Sequence, residues 1–259
     1  MLQILETIAL EAGRAILDVY KAGPSVAYKT DSSPVTEADE RAEAIILAGL
    51  ANAFPDIPVV AEEAAAAGQI PNVEGRSFFL VDPLDGTKEF INRRDDFTVN
   101  IALIENGSPT VGIVYAPAKG VAYTGAANEA SKLSISEQVT ITGREKIACR
   151  VRSSDLTAVA SRSHNSPETE AFLAETGVAS TTSVGSSLKF CLLAEGEADV
   201  YPRFGRTMEW DTAAGDAVLR AAGGITLDID GAPFRYGKTK QAFDSDFANG
   251  HFIAWGRKA

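Results

Sequence analysis

Residues 78–90, with the sequence FFLVDPLDGTKEF, constrain the fold of this chain more strongly than any other stretch. The apolar residues that end at Val81 predict a buried strand over 77–81. Two carboxylates, Asp82 and Asp85, follow this strand directly and lie three residues apart. Because like charges repel each other, such an arrangement needs something that holds two acids at the end of a buried strand.

The residues around these acids suit a tight turn. Pro83 fixes its own φ, and Gly86 permits backbone conformations that other residues disfavour. Such a turn can direct both carboxylates and the Leu84 carbonyl at one point, and these are hard oxygen ligands of the type that Mg²⁺ accepts. A helix that begins after Gly86 would add free N–H groups for an anion. The loop therefore predicts a metal and phosphate site, although Asp, Pro and Gly are also ordinary turn residues.

Other acids stand at the boundaries of predicted elements. Each has a structural alternative to a role in a site. Glu62 and Glu63 could be a solvated pair, Asp211 could be a helix N-cap, and Asp39 could favour a helix N-terminus. Thr36 and Asp39 fit a variant of the N-terminal capping pattern at the start of a helix over 36–53. Together with the two acids of the loop, these residues form a set of carboxylates at element ends: Asp39, Glu62, Glu63 and Asp211.

The remaining pattern indicates layered α and β elements, with a mostly antiparallel first half and an α/β second half. Helices are predicted from an amphipathic N-terminus and over 36–53, 167–176, 187–196 and 211–224. The strongest hairpin signal is Asn106-Gly107, and a second hairpin is predicted over 125–134. Polar residues over 130–150 suggest a boundary between an N-terminal α+β subdomain, 1–145, and a C-terminal α/β subdomain, 146–259.

Composition excludes several classes of partner. The chain has 259 residues, of which 45% are apolar, and its formal net charge is −11. We expect no nucleic-acid polymer as a partner, because there is no block rich in Lys or Arg. Cys149 and Cys191 lack C-x-x-C spacing and indicate reduced thiols of a cytosolic protein. The N-terminus does not resemble a signal peptide, and the apolar runs are too short to predict a transmembrane segment.

Several motifs in a fixed order carry a resemblance to a known family. DPLDGT at 82–87 has a Glu-Glu pair upstream and WDTAAG at 210–215 downstream. In this order and spacing the chain resembles the inositol monophosphatase superfamily of Mg²⁺-dependent, lithium-sensitive phosphatases over nearly its whole length. The resemblance implies a layered sandwich in which α, β, α, β and α layers alternate, and it implies inhibition by Li⁺.

Finer features resemble one branch of that superfamily, the 3'(2'),5'-bisphosphate nucleotidases of the CysQ type. Lys88-Glu89-Phe90 stands where inositol monophosphatases typically have Thr-Asn-Phe. The other matching motifs are FTVNIALI at 97–104, ASRSH at 160–164 and GSSLKFCLLAEGEADVYPRFG at 185–205. This branch implies hydrolysis of the 3'-phosphate of adenosine 3',5'-bisphosphate to AMP and phosphate, linked to sulfur assimilation. Residues 206–209 depart from the pattern and leave the contacts at the rim of the site open.

The resemblance also implies roles for individual residues. One Mg²⁺ is held by Glu62, Asp82 and the Leu84 carbonyl, and a second by Asp82, Asp85 and Asp211. Metal-activated water attacks phosphorus in line, oriented by Thr87 with Asp39 as the proton acceptor. For Glu63 the resemblance leaves two roles open, an acid beside the metal ligands or a contact to a third ion. The alternative to both roles is a surface carboxylate.

Nucleotide contacts are implied for Ser161, His164, Gly185 and Lys189. For two of them an alternative role is open: His164 could cap a loop, and Lys189 could be a solvated residue on a helix. Substrate contacts are further implied for the metal-site residues Glu62, Leu84, Asp85, Gly86, Thr87 and Asp211. Arg203 and Arg206 add phosphate contacts or are surface charges.

Two other functions remain open at this level. The first is an inositol or sugar monophosphatase on the same scaffold, and the second is a non-catalytic binding or regulatory protein that retains the metal loop. The resemblance implies a cytoplasmic protein and leaves open a peripheral association with the cytoplasmic face of the inner membrane. The oligomeric state is not predicted.

Overall fold

The structure is a computed structural model that describes residues 1–29, 34–152, 154–160 and 166–257. Its helices match the predicted periodic segments closely, with α2 and α5 beginning within one residue of the prediction. Within the described residues the α-helices are α1 (Leu2–Ala22), α2 (Glu37–Ala53), α3 (Glu62–Ala66), α4 (Thr87–Ile91), α5 (Pro167–Glu175), α6 (Leu188–Ala194) and α7 (Glu209–Ala221).

The strands form two main sheets and two short antiparallel pairs. The large sheet has the order β3 to β9 in sequence, with strands β3 (Val59–Ala61), β4 (Phe78–Asp85), β5 (Thr98–Glu105), β6 (Ser108–Ala116), β7 (Val121–Ala126), β8 (Glu129–Ile135) and β9 (Ile141–Ile147). The smaller sheet has the order β11-β10-β12-β16-β14, with β10 (Leu156–Ala160), β11 (Val178–Ser183), β12 (Val200–Arg203), β14 (Ile225–Asp228) and β16 (Phe252–Trp255). The short pairs are β1 (Val26–Tyr28) with β2 (Pro34–Thr36), and β13 (Thr207–Met208) with β15 (Ala248–Asn249).

These elements stack in five layers. Helices α1 and α2 cover one face of the large sheet, and α6 and α7 lie between its other face and the smaller sheet. Phe172 of α5 packs on Trp255, whereas the neighbouring Ala254 belongs to the inner core, so α5 covers the outer face of the smaller sheet. The alternation of α, β, α, β and α layers confirms the predicted fold class.

The position of β4 inside this stack explains its continuous apolar sequence. Phe78 and Leu80 belong to the core on the α7 side, whereas Phe79 and Val81 belong to the core on the α1 and α2 side. Successive side chains of a strand point to opposite faces, so a strand that is covered on both faces has no polar alternation. The buried strand predicted over 77–81 is therefore confirmed as a central strand of the large sheet.

The structure extends this strand to Asp85 instead of ending it at Val81. Asp82 pairs with Asn100 and Asp85 pairs with Thr98, so β4 contains one residue more than β5 between these pairs. This bulge contains Pro83, which has no N–H to donate to a neighbouring strand. A bulge re-aims the side chains around it, and here it changes the direction of the chain between the two acids.

Both predicted hairpins form. Asn106 and Gly107 have φ values of 51° and 73° and join β5 to β6, as the Asn-Gly signal predicts. The polar segment 130–150, however, also holds all of β9, which the sequence pattern does not reveal. Strand β9 lies at the edge of the large sheet and is mostly exposed, so its residues have no alternating apolar face.

We retain the division into residues 1–145 and 146–259 as a proposal. It is supported by the separation of the two main sheets, because the strands of the large sheet end at Ile147 and those of the smaller sheet begin at Leu156. Helix α7, from the second part, nevertheless packs on the large sheet. In the described part of the chain no helix is long and apolar enough to cross a membrane.

Helix α7 approaches the large sheet closely because two strands present glycines to it. A Cβ atom at Gly112 would lie 2.6 Å from the Ala217 Cβ and 2.7 Å from the Ala214 carbonyl oxygen. At Gly125 a Cβ atom would lie 2.7 Å from the Val218 Cα. Since α7 also carries Asp211, this contact fixes the distance between that acid and the strands of the large sheet.

The substitution Gly112→Ala should lower the free energy of unfolding by about 1–3 kcal/mol, because an added methyl group overpacks the contact with α7. Gly250→Ala is the matched control, because nothing lies within 4 Å of the added Cβ atom there. The control should change the free energy of unfolding by less than about 0.5 kcal/mol. Urea denaturation of the three proteins measures the difference, and equal stabilities would contradict the close packing of α7.

Candidate active site

Asp39 is held in the first turn of α2 by a capping box. Its Oδ2 atom accepts hydrogen bonds from the Thr36 N–H at 2.8 Å and the Thr36 hydroxyl at 2.7 Å, and the Thr36 Oγ1 accepts from the Ala38 N–H. The predicted capping pattern is confirmed. Burial raises the pKa of Asp39 above its ordinary value, although the hydrogen bonds from Thr36 act against this shift.

Thr87 joins Asp39 to the DPLDGT loop. Its hydroxyl lies 3.1 Å from Asp39 Oδ1 and 3.2 Å from the Leu84 carbonyl oxygen, and it can donate to either. Thr87 follows Gly86, whose φ of 93° is disfavoured for residues with a side chain. The structure therefore brings Asp39, on α2, next to the loop that holds Leu84, Gly86 and Thr87.

Asp82 is the most deeply buried acid of the loop. It is 1% exposed, and its Oδ1 atom accepts a hydrogen bond from the Leu84 N–H at 3.0 Å. Burial raises the pKa of Asp82 well above its ordinary value, and the negative charges of nearby acids raise it further. These acids, in decreasing order of effect, are Glu62, Asp85, Asp211 and Asp39.

Asp85 and Asp211 come from different layers and meet at one cavity. Asp211 lies in the first turn of α7, where its Oδ2 atom accepts from the Met208 N–H at 2.7 Å. Burial raises the pKa of Asp211 well above its ordinary value, and the charges of Asp85 and Glu62 add to this effect. Both Asp85 and Asp211 line a cavity that also contains Gly86.

Glu62 and Glu63 begin α3 and are bound to one lysine. The Lys29 ammonium lies 2.7 Å from Glu62 Oε1 and 2.7 Å from Glu63 Oε1. Burial opposes the charge on Lys29, but the two carboxylates more than offset it and raise the pKa of Lys29 above its ordinary value. Burial raises the pKa of Glu63 to about 7, with the charge of Glu62 acting in the same direction.

Glu43 of α2 supports the start of α3. Its carboxylate accepts hydrogen bonds from the Glu63 N–H and the Ala64 N–H, both at 2.8 Å. These are orphan N–H groups at a helix N-terminus, so Glu43 caps α3 from outside the helix.

The predicted metal ligands lie near one another, since the charges of Glu62, Asp85 and Asp211 raise the pKa of Asp82. No group of three or more His, Cys, Asp or Glu side chains within the described ranges already has an arrangement that could hold a metal ion. Instead, the Glu62 carboxylate is bound to Lys29, and the Leu84 carbonyl oxygen lies 3.2 Å from the Thr87 hydroxyl. The oxygen donors nonetheless match the hard ligands that Mg²⁺ prefers, and the Lys29 ammonium already stands in as a cation against Glu62.

Among the predicted nucleotide contacts, Gly185 and Lys189 line the same cavity as Asp85 and Asp211. Lys189 is only 8% exposed and donates to the Ser186 carbonyl at 2.9 Å, so the alternative of a solvated helix residue is wrong. Ser161 and His164 lie outside the described residues.

Several residues around the site were not singled out from the sequence as site residues. Lys29 has no motif that would reveal it, whereas the Ser pair in GSSLK and the polar residues in FTVN interrupt otherwise apolar patterns. The residues that the structure adds are Lys29, Glu43, Asp96, Thr98, Asn100, Ser186 and Ser187.

Comparison with known proteins shows the family of the chain. The chain matches the inositol monophosphatase family over residues 1–254. It is 46% identical over 238 residues to the 3'(2'),5'-bisphosphate nucleotidase CysQ of Escherichia coli K12, with 91% of this chain and 94% of the relative covered. For the protein of the same name from Salmonella typhimurium the identity is 47% over 238 residues, with the same coverage of 91% and 94%.

A solved structure gives the same result. The crystal structure of CysQ from Bacteroides thetaiotaomicron, a bacterial member of the inositol monophosphatase family, is 38% identical to this chain. The match covers 97% of this chain and 95% of that one, with a TM-score of 0.78. The chain therefore belongs to the inositol monophosphatase family, as its motifs predict. All three relatives described above are CysQ proteins.

The substitution Lys29→Met should lower the free energy of unfolding of the metal-free protein by about 1–3 kcal/mol, because it leaves two partly buried carboxylates without their counter-ion. Lys146→Met is the matched control, since the Lys146 pair with Glu129 is exposed. Its effect should stay below about 1 kcal/mol. Urea denaturation in the presence of a chelator compares the variants, and a Lys29→Met protein as stable as the control would refute the role of Lys29.

Proposed function

We propose that this protein is a Mg²⁺-dependent phosphatase that hydrolyses the 3'-phosphate of adenosine 3',5'-bisphosphate to AMP and phosphate. One observation carries the proposal: acids suited to metal ions and two cationic side chains line the same cavity. Asp85 and Asp211 supply the acids, and Lys189 and Arg203 supply the cations. The names of the CysQ relatives support the same substrate class.

The residues that would hold the ions follow from the donors at the site. Glu62, Asp82 and the Leu84 carbonyl would bind one Mg²⁺, and Asp82, Asp85 and Asp211 a second. Glu62 must exchange Lys29 for the ion, and Glu63, released from the same lysine, is a candidate contact for a third. Bound Mg²⁺ supplies Lewis-acid polarisation of phosphoryl oxygens and lowers the pKa of water.

The Thr87 and Asp39 pair would manage the proton of the attacking water. The Thr87 hydroxyl can accept a hydrogen bond from that water while it donates to Asp39 Oδ1, which lies 3.1 Å away. Asp39 is suited to take up the proton because burial raises the pKa of its carboxyl group. Its second oxygen stays fixed by the two hydrogen bonds from Thr36, so the acceptor is oriented before the substrate binds.

A second phosphate group would be recognised by the cationic side of the cavity. Burial lowers the pKa of Lys189, so a phosphate beside it would stabilise its charged form. The Nε atom of Arg203 is buried and has no hydrogen-bond partner in the described part of the chain. Arg203 therefore offers a donor for a phosphate oxygen, which favours a bisphosphate over a monophosphate ester.

Gly185 would allow the substrate to approach the backbone, and Ser161 and His164 stay predicted contacts to the ribose and base.

We place the enzyme in the cytoplasm, a location supported by the buried unpaired thiols of Cys149 and Cys191. Peripheral association with the membrane is not part of the proposal.

A substrate panel tests the proposal. Hydrolysis of adenosine 3',5'-bisphosphate and of inositol 1-phosphate is measured by phosphate release, each with Mg²⁺ and with a chelator. We expect the nucleotide to be the better substrate by kcat/KM and its hydrolysis to require Mg²⁺. A preference for the inositol ester would favour an inositol or sugar monophosphatase instead, and hydrolysis of neither would favour a non-catalytic protein.

The substitution Asp85→Asn should lower kcat/KM by more than about 100-fold, since even outer-sphere partners of metal sites contribute about 10–100-fold. It removes a ligand charge but little volume, so the melting temperature should stay close to that of the wild type. Asp18→Asn, on the exposed side of α1, is the matched control and should leave the rate unchanged. An Asp85→Asn enzyme with wild-type activity would contradict the metal assignment.

The substitution Thr87→Ala should lower kcat by a factor of about 100 with a smaller change in KM, because the hydroxyl acts on the proton of the attacking water. Thr87→Ser keeps the hydroxyl and should retain most of kcat. Steady-state kinetics on the nucleotide separates the two parameters. If Thr87→Ala changes KM alone, Thr87 binds substrate and takes no part in the proton transfer.

A further inference from the structure

Thr98 and Asn100 are two fully buried polar residues in the otherwise apolar start of β5. They belong to the FTVN motif, which the proposed mechanism does not use. In the ladder they lie opposite the acids of the DPLDGT loop, because Asn100 pairs with Asp82 and Thr98 with Asp85. Buried polar side chains destabilise a core unless they are hydrogen-bonded, so their partners indicate what they do.

Both side chains contact the loop at 185–187, which precedes α6. The Thr98 Oγ1 lies 2.7 Å from the Ser186 Oγ, and the Asn100 Nδ2 donates to the Ser187 Oγ at 3.0 Å. The Thr98 hydroxyl also lies 2.9 Å from the Asn100 Oδ1, an alternative acceptor for its single proton, and this contact joins the other two into one network. The network therefore connects the large sheet to a loop of the second half of the chain.

This loop in turn holds Asp85. The Ser186 hydroxyl donates to Asp85 Oδ2 at 2.5 Å, and the Ser187 N–H donates to the same oxygen at 2.8 Å. Ser186 has a φ of 58°, in the left-handed region that residues with a side chain rarely adopt. Backbone strain of this kind persists only where surrounding contacts enforce it, and here the enforced conformation directs the hydroxyl at Asp85.

The same loop reaches the acid on α7. The Ser187 hydroxyl donates to the Asp211 carbonyl at 2.6 Å. Asp96 fixes the start of the loop by accepting from the Gly185 N–H at 3.1 Å. The loop is thereby tied to β5, to the DPLDGT loop and to α7 at once.

We propose that Thr98 and Asn100 are positioning residues for the metal site. They act on Asp85 through Ser186 and Ser187, and the Asn100 Nδ2 also lies 3.5 Å from Asp85 Oδ2 directly. The inference rests on the proposed function, since it assumes that Asp85 is a Mg²⁺ ligand. A carboxylate only accepts hydrogen bonds, so Ser186 gives its proton to Asp85 and Thr98 can donate to the Ser186 oxygen. Each donor on Asp85 Oδ2 limits rotation of the carboxylate and so orients its other oxygen before an ion binds.

The experiment compares Mg²⁺ affinity by isothermal titration calorimetry, which does not depend on activity. Thr98→Val keeps the shape of the side chain but removes the hydroxyl, and it should weaken Mg²⁺ binding by about 10–100-fold. Thr98→Ser restores the hydroxyl and should restore an affinity near that of the wild type. The half-saturating Mg²⁺ concentration for nucleotide hydrolysis should shift in parallel.

Two further variants keep the test interpretable. Thr124→Val is the matched control, because Thr124 is equally buried on β7, two strands away from β5 in the same sheet. It should leave the Mg²⁺ affinity unchanged. Ser186→Gly removes the second hydroxyl of the network while suiting the positive φ, and it should weaken Mg²⁺ binding as Thr98→Val does.

The outcomes separate this inference from the proposed function. If Thr98→Val and Ser186→Gly bind Mg²⁺ as tightly as the wild type, the inference is overturned. A lower melting temperature of Thr98→Val with unchanged Mg²⁺ affinity overturns it as well. If the wild type binds Mg²⁺ without hydrolysing the nucleotide, the proposed function fails, yet a weakened affinity in both variants would still support the inference.

Discussion

Repulsion among buried carboxylates is the constraint on which this structure depends. Asp82 is buried and Asp211 is half-buried, and each lies close enough to other acids for their charges to raise its pKa. The chain does not avoid this repulsion by moving the acids apart. It orients the acids with hydrogen bonds, from Thr36 to Asp39, from Met208 to Asp211 and from the Ser186 loop to Asp85. An arrangement of this kind holds negative charge in place and so favours a cation.

The five-layer fold brings these acids together from distant parts of the chain. Asp39 stands at the start of α2 on one side of the large sheet, and Asp211 stands at the start of α7 on the other side. Between them, Asp82 and Asp85 both pair with β5, and the bulge in β4 lies between the two acids. Close packing of α7 against the glycines of the sheet then sets the position of Asp211, so the geometry of the site follows from the packing of the core.

Local chemistry allowed much of this to be predicted from the sequence. The apolar run before Asp82, the Asn106-Gly107 turn and the Thr36 cap each have a short-range physical cause, and each is confirmed. Strand β9 could not be predicted, because an exposed edge strand has no apolar alternation. The bulge could not be predicted either, since it depends on the partner residues of β5.

The contacts of Lys29 and of Ser186 illustrate a second limit. Lys29 lies more than 30 residues from Glu62, and an isolated lysine in a sequence carries no signal of a partner. Ser186 takes its role from a strained conformation and from Asp85, which lies 101 residues away. Such contacts arise from tertiary packing, so only the assembled layers reveal them, whereas the resemblance to a family pointed to the acids themselves.

The central claim is that these acids form one binding site for paired divalent cations. Anomalous diffraction from crystals grown with Mn²⁺, which takes the same oxygen ligands as Mg²⁺, tests it most directly. The account predicts two strong anomalous peaks that share Asp82 as a ligand, with Lys29 withdrawn from Glu62. Peaks confined to other parts of the surface, or a site in which Lys29 keeps its bond to Glu62 and no ion lies among the acids, would contradict it.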